Sequence, residues 1–405
     1  VKRVEHFARD VELVGYHDLD GKPGFKMAIQ VVGDRWYLYL GHLWHREWSV
    51  LDVTDAAHPR RVGGMAGPDN TFTIQVQAAE GKLLTALEHC PPGWGADPNR
   101  PAEEGVLVWD LADPVRPRQL AHWRTGGTGT HRNYYAGGRY AHLAAGMPGF
   151  NRNMYVILDL ADPGEPREVG RWFLPEQYVA GGGKPAGVPA LHGPAAIEGD
   201  RAYLPYGAAG MVILDVADVS APRLVSRLDF GAAFGSWLGV HTVVPLPRRG
   251  LAVVNTEAIA EDSDEPLNFT AIVDISKETA PRVLSLFPVP EPPPGAPYPN
   301  FQRRGGRFGP HNQHHWQHQP HLLDRDDLVY LTYFNAGLRV YDIRDPYLPR
   351  EVGYFLAADP VERRGVLPRT LVTQSEDVLV DARGYAYLTD KNHGLHVVRY
   401  VGPLA

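Results

Sequence analysis

One phrase recurs six times along the chain: a short apolar strand, an aspartate, a turn, then Pro-Arg and a second strand. The copies read WSVLDVTDAAHPRRVG, VLVWDLADPVRPRQL, MYVILDLADPGEPREVG, MVILDVADVSAPRLV, TAIVDISKETAPRVL and LRVYDIRDPYLPREVG. Their strand-end aspartates, Asp52, Asp110, Asp159, Asp215, Asp274 and Asp342, are 58, 49, 56, 59 and 68 residues apart, a spacing that suits four short strands and their turns. A unit repeated at that period cannot bury its apolar face alone and must stack on its neighbours. A seventh copy begins as LHVVRY at Leu395 and runs out at Ala405, while Glu12-Leu13-Val14-Gly15-Tyr16 matches the second strand of the phrase. The two halves predict that residues 11–17 complete the last unit and close a ring, which removes open sheet edges.

Between the phrases lie two more strands per unit, such as MAIQVV then RWYLYLG, with Gly-rich turns and no helical period. The expected fold is therefore all-β, a seven-bladed β-propeller forming a single domain over residues 1–405. Each repeated Asp can accept backbone N–H groups at its turn, and the Arg after Pro can reach a carboxylate, so these residues read as structural. The phrase resembles the LVIVD repeat of bacterial β-propellers over nearly the whole chain. That resemblance implies the fold and leaves the activity open, because a propeller hosts many chemistries.

A formal charge of −7 argues against general affinity for nucleic acid or anionic membranes, and no apolar run is long enough for a transmembrane helix. The single cysteine, Cys90, allows no internal disulfide and points to a reducing compartment such as the cytoplasm, although a leader removed before Val1 is compatible with the sequence. There is no phosphate-binding Gly-rich loop and no nucleophile elbow; His42-Leu43-Trp44-His45 lacks the glutamate of HExxH.

The unusual number is 18 histidines. In a propeller blade the innermost strand begins on the face where the second strand ends, so both places surround one channel mouth. Aligning the units on their second strands puts His131, His192, His241 and His318 at the start of four consecutive inner strands, with Lys26, Thr73 and Glu376 in the other three. The match of HGP at His192 to HQP at His318 chooses the last; His311, His314 and His315 are its rivals if the gap falls elsewhere. Converging neutral imidazoles are what a divalent transition metal requires, with Fe(II) favoured and Zn, Mn, Ni or Cu as alternatives.

The second strands end at the same mouth with His42, His45, Glu88, His89, Glu257 and His393. Glu88, Glu257, Glu376 and His89 are the candidate catalytic or outer-shell groups, since metal-bound imidazoles donate their second N–H to carboxylates. Insertions at 89–105, 257–269 and 291–317 fall on this side. His42, His45, His393, Trp44, Trp94, Trp237, Trp316 and Arg303 are expected to line a site for a small aromatic or apolar substrate. The arrangement is similar, in geometry alone, to the carotenoid cleavage oxygenases, whose four-histidine Fe(II) site with backing glutamates it implies here. The leading expectation is a metal-dependent enzyme of the non-haem Fe(II) oxidoreductase type. A Zn- or Mn-dependent hydrolase or lyase, and a non-catalytic propeller that binds a ligand or protein, are the alternatives.

Overall fold

The computed structural model describes residues 6–91, 93–231, 236–266 and 268–405. Pro92 and Leu267, which belong to the expected rim insertions, lie outside the described residues. Among the described residues the fold is all-β: five four-stranded antiparallel sheets and one of nine strands, with only single-turn 3-10 helices between them. No helix among them is long and apolar enough to cross a membrane.

Each sheet is a meander whose third strand carries the repeated phrase. Unit 1 runs Met27–Val32, Arg35–Gly41, Glu47–Asp52 and Arg60–Ala66. The nine-stranded sheet holds unit 2, from Val76–Ala79 to Arg118–Trp123, and unit 3, from Gly129–Tyr134 to Arg167–Trp172. These two are joined through the single pair Gly129 and Glu88. Unit 4 spans Ala196–Glu198 to Arg223–Leu228, and unit 5 spans Val240–Leu246 to Arg282–Leu286. Unit 6 comprises Leu328–Thr332, Leu338–Asp342 and Arg350–Leu356, edged by Phe7–Arg9. Unit 7 comprises Ser375–Val380, Tyr385–Asp390 and Gly394–Tyr400, and Val11–His17 pairs antiparallel along its outer edge.

The phrase explains itself locally. All six aspartates accept the backbone N–H two residues on, from Thr54, Ala112, Ala161, Ala217, Ser276 and Arg344, at 2.8–3.0 Å. Arg60, Arg118 and Arg282, each following the proline, return to Asp52, Asp110 and Asp274. The phrase also carries a packing rule. A side chain at Gly63 would run into the Val115 carbonyl, and one at Gly170 into that of Val219, so glycine lets the turn of a following unit seat on the outer strand before it.

Apolar cores lie between successive units. Leu143, Val156 and Leu158 of unit 3 meet Leu84, Val106 and Val108 of unit 2. Leu379, Tyr387 and Val397 of unit 7 meet Met27, Leu38 and Leu40 of unit 1. At about 25 cal/mol per Å2 of apolar area, these interlayer contacts are the main source of stability.

Candidate metal centre

The first strand of several units is irregular where it begins. In unit 5 the pairing runs Val240 to Thr256 and then Thr242 to Asn255, so His241 is an extra, bulged residue. Glu376 is bulged in the same way between Ser375 and Asp377, and unit 3 carries an extra residue between Thr130 and Asn133, where His131 lies. In unit 6, His311 N–H donates to the Thr332 carbonyl while the Thr332 N–H donates to Asn312, the same two-against-one pattern. Phe25 and Lys26 repeat it against Gly41. His192 N–H donates to the Pro205 carbonyl at the start of unit 4. The seven equivalent positions are therefore Phe25, Ile74, His131, His192, His241, His311 and Glu376.

The imidazoles form a curved row. Ring centroids are 4.3 Å apart from His131 to His192, 5.1 Å from His192 to His241 and 4.7 Å from His241 to His311. The Nε2 atoms of His192, His241 and His311 face one carboxylate, Glu257, just past the end of the second strand of unit 5. Glu257 Oε2 lies 3.2 Å from His192 Nε2 and 3.5 Å from His241 Nε2, while Oε1 lies 3.7 Å from His311 Nε2. His131 Nε2 is 3.1 Å from His192 Nε2. One ligand atom each from His192, His241 and Glu257 falls within 4.8 Å of the others. His241 Nε2, His311 Nε2 and Glu257 Oε2 are buried and make no hydrogen bond of good geometry.

The other ring nitrogens are held from outside. His131 Nδ1 is 2.5 Å from Glu88 Oε2, a carboxylate–histidine pair of the kind that fixes a ligand's tautomer. His241 Nδ1 is 2.7 Å from Thr242 Oγ1. His311 Nδ1 lies 3.5 Å from Glu376 Oε2, and Glu376 Oε1 is 2.7 Å from Lys391 Nζ. Burial holds His241 and His311 well below the usual imidazole range and His192 at about 4. Burial alone would raise Glu257, but His241, His192 and His311 beside it keep it well below the carboxylate range. At neutral pH burial thus leaves His192, His241 and His311 as neutral imidazoles beside the Glu257 carboxylate, the state a cation needs.

Around this cluster the mouth is divided. Arg307 reaches Glu257 at 3.0 Å and, with Lys391, lies between the rings of Trp94 and Phe334, at 5.1–5.5 Å from their centroids. Phe334 also stacks on His311 at 4.5 Å. On the other side Phe25, Leu43, Phe72 and Ile74 form an apolar wall joined by Trp44, Cys90 and Trp94. Solvent reaches His131, His192 and Glu88, which are 13%, 21% and 14% exposed, but neither His241 nor His311.

Several expected residues lie elsewhere. His318 is at the opposite end of the inner strands, bonded to the Ile197 carbonyl at 3.0 Å, and His311 takes the place expected for it. The resemblance of HQP to HGP misled because Gln317 and His318 sit in a turn with positive φ, beyond the inner strand. Trp316 stacks edge-on against His318 and packs with the core between units 7 and 1, so it too lies away from the cluster. His42 is fully buried with both ring nitrogens bonded, to the Pro23 carbonyl and Ser49 Oγ, and serves the scaffold.

Lys26 pairs with Asp377 at 2.6 Å and Thr73 bonds the His42 carbonyl, one residue off the equivalent positions Phe25 and Ile74. Arg303 is exposed, and Arg307 from the same loop is the cation at the cluster. Trp237 is 58% exposed, His89 is exposed, His393 Nε2 is bonded to the Ala358 carbonyl, and His45 stands beside Trp44. Glu257, expected behind the ligands, stands among them.

The segment after His314 crosses the far end of the inner strands. Gln319 Nε2 donates to the Ala136 carbonyl of unit 3, His318 bonds unit 4, and His321 lies edge-on to Trp36 of unit 1. A cavity of about 370 Å3 remains there, lined by Tyr134, His142, Ile197 and His318 among others.

A family profile for the LVIVD repeat matches residues 195–229. No curated protein sequence matches the chain. Among solved structures, streptogramin B lyase, a β-propeller, aligns with a TM-score of 0.55 at 10% identity, covering 97% of this chain and 97% of its own. The computationally designed Ika8 protein aligns with a TM-score of 0.49 at 8% identity, covering 95% and 98%.

Proposed function

We propose that this chain, whose residues 195–229 match the LVIVD repeat, is an LVIVD-repeat β-propeller and a metal-dependent enzyme whose ion is held by His131, His192, His241, His311 and Glu257 at one mouth of the channel. In this reading the propeller has seven blades and Val11–His17 completes the last. Three contacts support that closure: the core shared by units 7 and 1, the Lys26–Asp377 pair between them, and the fit of Gly15 against the Ala56 carbonyl.

The observation that carries the function is the convergence of buried imidazole Nε2 atoms on the Glu257 carboxylate, where two of the nitrogens and one oxygen make no hydrogen bond. Burying His241 Nε2, His311 Nε2 and Glu257 Oε2 without hydrogen bonds costs roughly 1–3 kcal/mol each. A cation at their centre would repay all three at once. Nitrogens about 3.1 Å apart, as in His131 and His192, suit two ligands of one ion with bonds of about 2.1 Å.

Neutral nitrogen donors with one carboxylate favour Fe(II), and the leading assignment is a non-haem oxidoreductase acting on a small, largely apolar molecule. The ion would supply redox or Lewis-acid chemistry. The protein's own part is to fix the imidazoles through Glu88 and Thr242, to keep water from His241 and His311, and to present the wall of Phe25 and Ile74. Titration of chelator-treated protein with Fe(II), Mn(II), Zn(II), Ni(II) and Cu(II) tests the reading. One equivalent should bind to the wild type and none to His311→Ala; stoichiometric binding that survives the substitution would contradict it. Preference for Zn(II) or Mn(II) over Fe(II) would move the assignment to a hydrolase or lyase.

A further inference from the structure

Directly after His131 comes Arg132, 1% exposed and lying on the Phe25 ring, with Cζ 4.4 Å from its centroid. Its Nε and Nη1 are buried and make no hydrogen bond. Buried guanidinium groups are almost always satisfied, because an unmet charged donor is costly. Acids do surround it: Glu257, Asp377, Glu376 and Glu88 all act on its charge. Each of them pairs with another group, however, and none accepts from Arg132 Nε or Nη1: Glu257 pairs with Arg307, Asp377 with Lys26, Glu376 with Lys391 and Glu88 with His131. Arg132 therefore reaches from unit 3 to Phe25 of unit 1 with two buried donors, Nε and Nη1, and no acceptor for either.

Charge gives a second argument, which rests on the metal reading. Glu88, Glu257, Glu376 and Asp377 match Lys26, Arg132, Arg307 and Lys391, four acids against four bases. A divalent ion leaves this buried site with a surplus of two positive charges, which a low-dielectric place does not tolerate. Shape points the same way. Next to the guanidinium, two of the seven equivalent positions are apolar, Phe25 and Ile74, backed by Leu43 and Phe72.

We propose that Arg132 is the anion-binding residue of this site, and that its ligand is a small carboxylate whose apolar body lies against Phe25 and Ile74. The proposal rests on the metal reading for the role of that ligand as substrate, but the orphaned donors of Arg132 call for an anion with or without the ion.

The test is calorimetric titration of benzoate and of benzamide, its neutral isostere, into chelator-treated and metal-loaded protein. Wild type should bind benzoate at least about tenfold more tightly than benzamide, because only the carboxylate meets the guanidinium. Arg132→Met should remove that preference and Arg132→Lys should keep most of it, with thermal unfolding used to confirm that each variant folds. Should Arg132→Met fail to fold, the benzoate-to-benzamide ratio in wild type still decides. Equal binding of the two, binding of neither, or an unchanged preference in Arg132→Met would overturn the proposal. Benzoate preference in a protein that takes up no metal would leave the anion site standing and end the metalloenzyme reading. Metal uptake without the preference would do the reverse.

Discussion

His241 gives its Nδ1 hydrogen to Thr242 Oγ1 at 2.7 Å, because the Thr242 hydroxyl is already donating to the His311 carbonyl at 3.0 Å. A hydroxyl has one hydrogen to give, so the imidazole must be the donor and its Nε2 must carry the lone pair. One threonine thereby fixes the tautomer of one candidate ligand and ties it to the strand that bears another.

Thr242→Val keeps the shape of that side chain and removes both bonds. Metal affinity should fall by about 10–100-fold, the usual effect of losing a ligand's orienting partner, while Thr242→Ser should restore most of it. Competition against a chromogenic chelator measures the change. Unchanged affinity in the valine variant would show that His241 is oriented by packing alone.

His311→Ala and His318→Ala separate the two ends of the channel. The first should abolish metal uptake. The second should leave it intact, since His318 bonds Ile197 and Glu198 at the far end. Metal content after dialysis is the readout, and loss in His318→Ala would place the centre elsewhere.

Gly193 sits so close to the His241 carbonyl that a Cβ would overlap the oxygen. Gly193→Ala should force units 4 and 5 apart, lowering stability by on the order of 2–4 kcal/mol and weakening metal binding. Gly170→Ala makes the same kind of clash with the Val219 carbonyl, far from the cluster. It should lower the melting temperature yet spare the metal, and calorimetry with metal analysis distinguishes the two.

Burial pushes His396 down to about 3, as it does His142 and His315. A histidine whose folded pKa lies below its unfolded value of about 6.5 binds its proton only on unfolding in that interval. Its contribution is constant above about 6.5, and stability falls as the pH drops from there towards 3. The metal-free protein should therefore melt at progressively lower temperature below pH 6.5. His396→Phe is the cleanest probe, because Nδ1 makes no hydrogen bond and the ring packs on Tyr16 and Phe355. It should reduce the pH slope of stability by up to about 1.4 kcal/mol per pH unit. An unaltered slope would mean that His396 is already charged in the fold.

The repeat made the sheets legible, because every unit repeats the same Asp turn and the same demand to stack. The pairing of residues 11–17 with the last strand was legible for the same reason: a fragment of the phrase at one end answers a truncated copy at the other. His131 and His241 could be aligned because each lies near the start of a strand of ordinary length, and His192 because it leads into the short strand Ala196–Glu198. His311 could not be chosen over His318, since its segment forms only the isolated bridge of Gln313 with Leu331 and the HQP motif lies in the turn beyond it, while a bulge at the start of an inner strand shifts register by one residue with no mark in the sequence. The same shift placed Lys26 and Thr73 where Phe25 and Ile74 stand, and so hid the apolar half of the mouth. Arg132 and Lys391 went unassigned because their roles depend on partners from other units, which no local pattern encodes.

The central claim is that four histidines and Glu257 hold a single transition-metal ion. Elemental analysis of protein purified without a metal-chelating tag, beside a His192→Ala/His241→Ala double variant, tests it most directly. The account predicts near-stoichiometric metal in the wild type and none in the double variant. An absence of metal from both proteins, persisting after reconstitution with each candidate ion, would contradict it.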